Sequence, residues 1–346
     1  MRVEYPAPLV AGSRVAVTAP SSGVEPPLHR RLDLVIGHLR AQGFQVEQGR
    51  CLREQWQGAS ASANERAAEW MRFLLRDDIA AIIPPWGGEL AIEVLARMDW
   101  DALRTARPKW VLGYSDTSTL LMPLTLGLGW ATAHGPGLMD LAPGQADLLT
   151  KAAMSVLATG PGLSVLQRQS ERWQSRWTDF ADVPDTAYAL TESTRWHSLL
   201  GQTELKFCGR LIGGCIDTLM HLAAGEHGDV CSFIARCGPA GAVLYLENAE
   251  LSPVALVRAL HGLRWAGWLD GLAGLLIGRS AGPDAAKPGG LTYLQALRST
   301  LGDLACPVLI DVDIGHRPPQ FVLINGARAC VTWSAADGGR IEQWLD

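Results

Sequence analysis

Ser115 is the side chain best placed to attack a carbonyl. In the stretch 110–128, WVLGYSDTSTLLMPLTLGL, an apolar run of Trp110, Val111 and Leu112 meets Gly113. Tyr114, Ser115 and Asp116 follow, and then a mostly apolar helical stretch through Leu120, Leu121, Leu124 and Leu126. The pattern predicts a buried strand, a sharp turn and a helix. A serine in such a turn is lifted out of the sheet, at a helix N-terminus whose free N–H groups and dipole can stabilise an oxyanion. That is the geometry of a nucleophile elbow, although the G-x-S-x-G spelling is absent. The plainer reading is that the serine simply caps the helix, as serines often do, and the segment alone favours that reading.

Other segments carry compatible chemistry. Pro84-Pro85-Trp86-Gly87-Gly88-Glu89 follows an apolar run at 79–83, and paired glycines let backbone N–H groups approach a ligand closely. It also reads as a plain strand-to-helix turn. Glu247 ends the apolar run 243–246, where a carboxylate can orient a histidine or cap the next helix. His316 follows the run 309–314 and is a candidate general base, because imidazole titrates near neutrality and bonds through both nitrogens. Asp311, Asp313 and His316 also admit a metal-cluster reading, but their spacing matches no common metal motif.

These turns need elements to hold them. The first half predicts strands at 14–19, 44–46 and 79–83 alternating with helices at 29–41, 64–75 and 90–98. This order implies a parallel sheet covered on both faces, with the site at the strand C-termini. The stretch 159–202 breaks the rhythm, holds Trp173, Trp177 and Trp196, and reads as a connection plus a loop over the site. A second unit runs from 211, with helices at 216–223, 253–265 and 293–301 and strands at 242–246, 274–277, 307–311 and 327–333.

Composition narrows the class. The 346 residues exceed one ordinary core, and 48% apolar with 19% charged residues describes a folded globular chain. A net charge of −5 gives no reason to expect nucleic acid or an anionic membrane as partner. The seven cysteines are odd in number and form no C-x-x-C, so a disulfide framework or zinc ribbon is not expected and a reducing, cytoplasmic setting is. No signal peptide and no membrane-spanning apolar run is visible. Thirteen tryptophans are many, and some of them could line a ligand cleft.

Taken in order, the segments resemble the serine LD-carboxypeptidase family, which includes the microcin C immunity proteins. The resemblance rests on VAVTAPSSG at 15–23, Gly87-Gly88, Gly113-Tyr114-Ser115-Asp116, His134-Gly135-Pro136, GRLIGG at 209–214, Glu247, GLLIGR at 274–279 and Gly315-His316. It implies an α/β protein with a flavodoxin-like N-terminal domain (1–165), a connecting loop (166–202) and a smaller C-terminal β/α domain (203–346). It implies a Ser115–His316–Glu247 triad with the backbone N–H groups of Gly88 and Asp116 as oxyanion hole, no metal or organic cofactor, and a homodimer. The family's substrates are murein tetrapeptides in one branch and peptidyl- or aminoacyl-nucleotides in the other. The Trp-bearing tract before GRLIGG favours the second branch, with Trp86, Glu89, Trp177 and Trp196 as expected substrate contacts. A non-catalytic ligand-binding module is the alternative from another class.

Overall fold

The computed structural model describes residues 3–145, 147–177, 179–285 and 287–346. The first strands are β1 (Arg14–Val17), β2 (Gln45–Gln48), β3 (Ala81–Ile82), β4 (Trp110–Gly113) and β5 (Thr132–His134). They run parallel in the order 2-1-3-4-5, the flavodoxin-like order. The central strands are apolar without alternation, because helices cover both faces: Val15, Ala16, Val17, Ala81, Ile82, Trp110, Val111 and Leu112 are all fully buried. The helix His29–Ala41 turns Leu32, Val35, Ile36 and Leu39 onto the sheet. The helix Ala63–Leu75 starts at a reciprocal Ser62–Glu65 capping box.

The later strands are β6 (Ser164–Arg168), β7 (Arg172–Trp173), β8 (Glu192–Ser193), β9 (His197–Ser198), β10 (Glu204–Cys215), β11 (Ala242–Glu247), β12 (Gly274–Gly278), β13 (Val308–Val312), β14 (Leu323–Asn325), β15 (Arg328–Ser334) and β16 (Gly338–Trp344). An eight-stranded sheet has the order 6-16-15-10-11-12-13-9. Its centre, β10 to β13, is parallel, and its flanks are antiparallel. β7 and β8 form a separate ribbon.

Three features depart from the expectations. The stretch 159–202 is partly regular, because β6 and β9 close the two edges of the second sheet and β7–β8 pair within it. The segment 203–346 gives a strand to the first sheet, since β14 pairs antiparallel with β5 as its sixth strand. The cysteine count also misleads. Cys208 on β10 lies directly opposite Cys330 on β15, and the two are bonded. Their separation of 122 residues hides a pair that only strand register brings together, so the count no longer bears on compartment. Among the described residues, no helix is long and apolar enough to cross a membrane.

Candidate active site

The site is assembled where strands of both sheets end. β4 stops at Gly113, Tyr114 is extended, and Ser115 turns sharply with φ of +59°. A non-glycine residue in the left-handed region costs on the order of 1–3 kcal/mol and persists only where its surroundings fix it. Here a single 3-10 turn, Ser115–Thr117, leads into the helix Ser118–Leu128, so the strand–turn–helix expectation holds.

The neighbouring residue supplies the constraint. Asp116 is buried, and its carboxylate accepts from Ser21 Oγ (2.6 Å), the Ala91 N–H (2.8 Å) and Thr119 Oγ1 (3.1 Å). Ser21 Oγ in turn accepts from the Leu90 N–H at 3.0 Å. One carboxylate thus ties the loop after β1, the glycine loop after β3 and the turn after β4 together. Burial pushes the Asp116 pKa up, against these hydrogen bonds. From behind, the buried Arg66 donates to Pro20 O (2.7 Å) and Leu90 O (2.9 Å) and pairs with Glu93.

The glycine loop is pressed onto the serine. A Cβ on Gly87 would stand 2.7 Å from both Ser115 Cβ and the Asp116 nitrogen, so only glycine fits. Gly88, with φ of +134°, instead lies against Ser21 and Ser22. Trp86 is half-buried and donates its indole N–H to Ser22 O at 3.0 Å, while Glu89 is exposed at the rim. Burial raises the Glu89 pKa, and the charges of Glu250, Asp116 and Asp217 raise it further.

From the second sheet, β11 ends at the buried Glu247, and the loop after β13 brings His316 to it: Nδ1 lies 2.8 Å from Glu247 Oε2. Gly315 makes this possible. Its φ is +88°, and a Cβ there would stand 2.3 Å from Glu247 Oε2. Burial lowers the His316 pKa, but the charge and hydrogen bond of Glu247 outweigh it and hold the imidazole above its ordinary value. Glu247 mirrors this: burial raises its pKa, and His316 brings it below the ordinary carboxylate range. The halves meet through Tyr114, whose ring packs edge-on against His316 at 4.9 Å between centroids. With Nδ1 occupied by Glu247, the imidazole keeps Nε2 for a proton transfer.

The tryptophan tract divides. Trp177 is 45% exposed, edge-on to Phe180 and Tyr188. Tyr188 lies beside the buried Asp140; burial raises the Tyr188 pKa, and the charge of Asp140 raises it further. Asp140 accepts from the Gly137 N–H at 2.9 Å. Arg31, wholly buried, anchors the loop by donating to Pro184 O (3.0 Å) and Thr186 O (2.6 Å), with its guanidinium 4.2 Å from the Phe180 ring. Trp196 does not fit the expected substrate contact. It is 3% exposed, packs edge-on against Phe321, and donates its indole N–H to Asp313 at 2.9 Å. Asp313 also pairs with Arg279 at 2.8 Å, so Trp196 braces the loop that carries His316. Asp313 and His316 therefore have different partners, and the described residues hold no group of three metal-ligating side chains.

Sequence reasoning passed over Asp140, Tyr188 and Arg31. The signal available was a charged residue, Arg31, on the sheet-facing stripe of its helix, where an unpaired charge would be costly.

Comparison with known proteins agrees with this architecture. Residues 15–135 match the model of the LD-carboxypeptidase N-terminal domain, and residues 208–331 that of the C-terminal domain. The chain is similar to the microcin C7 self-immunity protein MccF of Escherichia coli, with 23% identity over 98% of this chain and 96% of that one. It is also similar to a probable murein peptide carboxypeptidase of Bacillus subtilis, with 27% identity over 94% and 91%. A solved structure of MccF in complex with aspartyl sulfamoyl adenosine superposes with a TM-score of 0.82 at 21% identity, covering 98% of both chains.

Proposed function

Given that the chain belongs to the LD-carboxypeptidase family and is a serine carboxypeptidase-type enzyme, we propose that Ser115, His316 and Glu247 are its catalytic triad and that it cleaves the amide of a peptidyl- or aminoacyl-nucleotide. The observation that carries the triad is the 2.8 Å His316–Glu247 contact, together with the Tyr114 ring, next in sequence to the positive-φ serine, against His316. Ser115 Oγ attacks the carbonyl carbon as His316 Nε2 takes its proton. The oxyanion is held by the backbone N–H groups of Gly88 and Asp116. The protonated imidazole, steadied by Glu247, then gives its proton to the leaving amine. Water repeats the attack on the acyl-enzyme and regenerates the serine.

The base works only as neutral imidazole. Because Glu247 holds the His316 pKa above its ordinary value, kcat/KM is expected to rise with pH through an acid limb whose midpoint lies above that of an ordinary imidazole. Initial rates across pH 5–9 check this, and a flat profile with chemistry rate-limiting would assign the base elsewhere.

The substrate reading is supported by Trp177, an exposed ring held edge-on by neighbours whose loop is anchored by Arg31. Such a face suits a nucleobase, and stacking contributes about 1–3 kcal/mol per base. Trp177→Ala is expected to raise KM about 5- to 150-fold for an aminoacyl sulfamoyl-adenosine and to leave a murein tetrapeptide unchanged. Equal effects on both substrates would make Trp177 a packing residue. Trp196→Ala, by contrast, is expected to act on stability, as loss of a buried tryptophan does.

A second reading, murein tetrapeptide hydrolysis, draws on the carboxylates of Glu89, Glu250 and Asp217 at the rim, which suit an amino-bearing side chain. Assaying both substrates with the same enzyme separates the two. The homodimer that the resemblance implies and the cytoplasmic location expected from the sequence belong to this proposal, and light scattering of purified protein tests the first.

A further inference from the structure

The triad leaves one buried histidine without a role. His134 ends β5, where its register partners are Gly113 on one side, two residues before Ser115, and Leu323 on the other. It is fully buried, yet neither ring nitrogen has a hydrogen-bond partner among the described residues. A neutral imidazole always carries one N–H, and a buried donor without an acceptor costs free energy. Such a group calls for an explanation.

A matching acceptor lies within electrostatic reach at the end of the second sheet. Glu247 spends Oε2 on His316, while its Oε1 is buried and without a hydrogen-bond partner; the Cys215 thiol, its register partner on β10, is the weak donor beside the carboxylate, and Asp217 and Asp140 also act on the His316 charge. The His134 ring stands 5.3 Å from that of Tyr245 and 6.4 Å from that of Tyr114. Tyr245 and Glu247, two residues apart on β11, point to the same face. Tyr114 is also the ring that abuts His316. His134 is thus enclosed by the two tyrosines and felt by both titrating triad members. Burial drives its pKa down to about 4 despite the pull of Glu247 and with a further push from His316, so it stays neutral at working pH. The Tyr245 hydroxyl is committed to Asn325 Oδ1 at 2.7 Å and leaves Glu247 unserved.

We propose that His134 is a positioning residue of the triad: its imidazole N–H serves Glu247 Oε1 through one bridging water, and so fixes the carboxylate that orients His316. The inference rests on the triad reading above. With its free oxygen bonded, the carboxylate is held in one rotamer and is less basic. Without that donor, Glu247 would hold the His316 proton more tightly, and the acid limb would move to higher pH.

His134→Phe keeps the ring volume and removes both nitrogens, whereas His134→Gln keeps an N–H donor. The expected result for Phe is a kcat lower by about tenfold or more with KM little changed. Its acid limb should lie about half a unit higher, and Gln should restore part of both. Phe with wild-type kcat and an unmoved limb overturns the proposal, as do equal losses in Phe and Gln without a limb shift, which is the pattern of packing alone. Where Phe does not fold, the imidazole 15N–H signals of wild-type protein decide. The His134 N–H should be protected from exchange and should move in Glu247→Gln, and a signal indifferent to that change overturns the proposal. Ser115→Ala is the control, because if it stays active the triad reading itself has failed, whatever His134 does.

Discussion

Ser115→Ala is expected to remove amide hydrolysis almost entirely, by about 10⁴-fold or more in kcat, while the protein melts within a few degrees of wild type. A lost nucleophile costs orders of magnitude in rate. The hydroxyl makes little difference to stability, because the carboxylate of Asp116, not Ser115, holds the loops together. The turn offers a sharper comparison. At φ of +59°, Ser115→Gly should be as inactive as alanine but at least as stable, since glycine enters the left-handed region without the steric penalty. Denaturant melts beside kcat for both variants measure this. Activity within about threefold of wild type in either would remove Ser115 from the chemistry.

Glu247→Gln should follow closely, with a loss of about 10³- to 10⁴-fold in kcat and a folded protein. An amide is nearly isosteric with the carboxylate but cannot stabilise the imidazolium. The direction of the pH shift is a second test. Glu247 is what holds the His316 pKa above its ordinary value against burial. Removing its charge lets burial prevail, so the residual activity should show its acid limb at lower pH than wild type. An unchanged limb together with a large loss would mean that Glu247 shapes the site without setting the proton affinity of its base.

Much of this was legible in the sequence. The helices at 29–41, 253–265 and 293–301 fell where their apolar spacing put them, because each packs one stripe onto a sheet. The turn at Ser115 was legible for the same reason, an apolar strand broken by glycine. What stayed hidden depends on partners distant in the chain. β10 reads ELKFCGRLIGGC, where glycines and charges mask a long central strand that register with β11 and β15 alone defines. β14 is too short to announce itself. Trp196 looked like a recognition residue because indole composition says nothing of burial, and its role depends on Asp313, 117 residues away. Asp140 and Tyr188 meet only after the connecting loop folds back over the first sheet.

The crossing of β14 into the first sheet bears on how the chain is made. Synthesis proceeds from the N-terminus, so the strands that carry Ser115 leave the ribosome long before Leu323–Asn325 do. Until then β5 is an edge, with unpaired N–H and C=O groups available to any other strand. The sheet that carries Ser115 is therefore sealed only by the stretch that follows His316. A nascent or prematurely terminated chain would hold the serine turn without its base and with an open, aggregation-prone border. Assembly of the proposed triad and closure of that border become a single event.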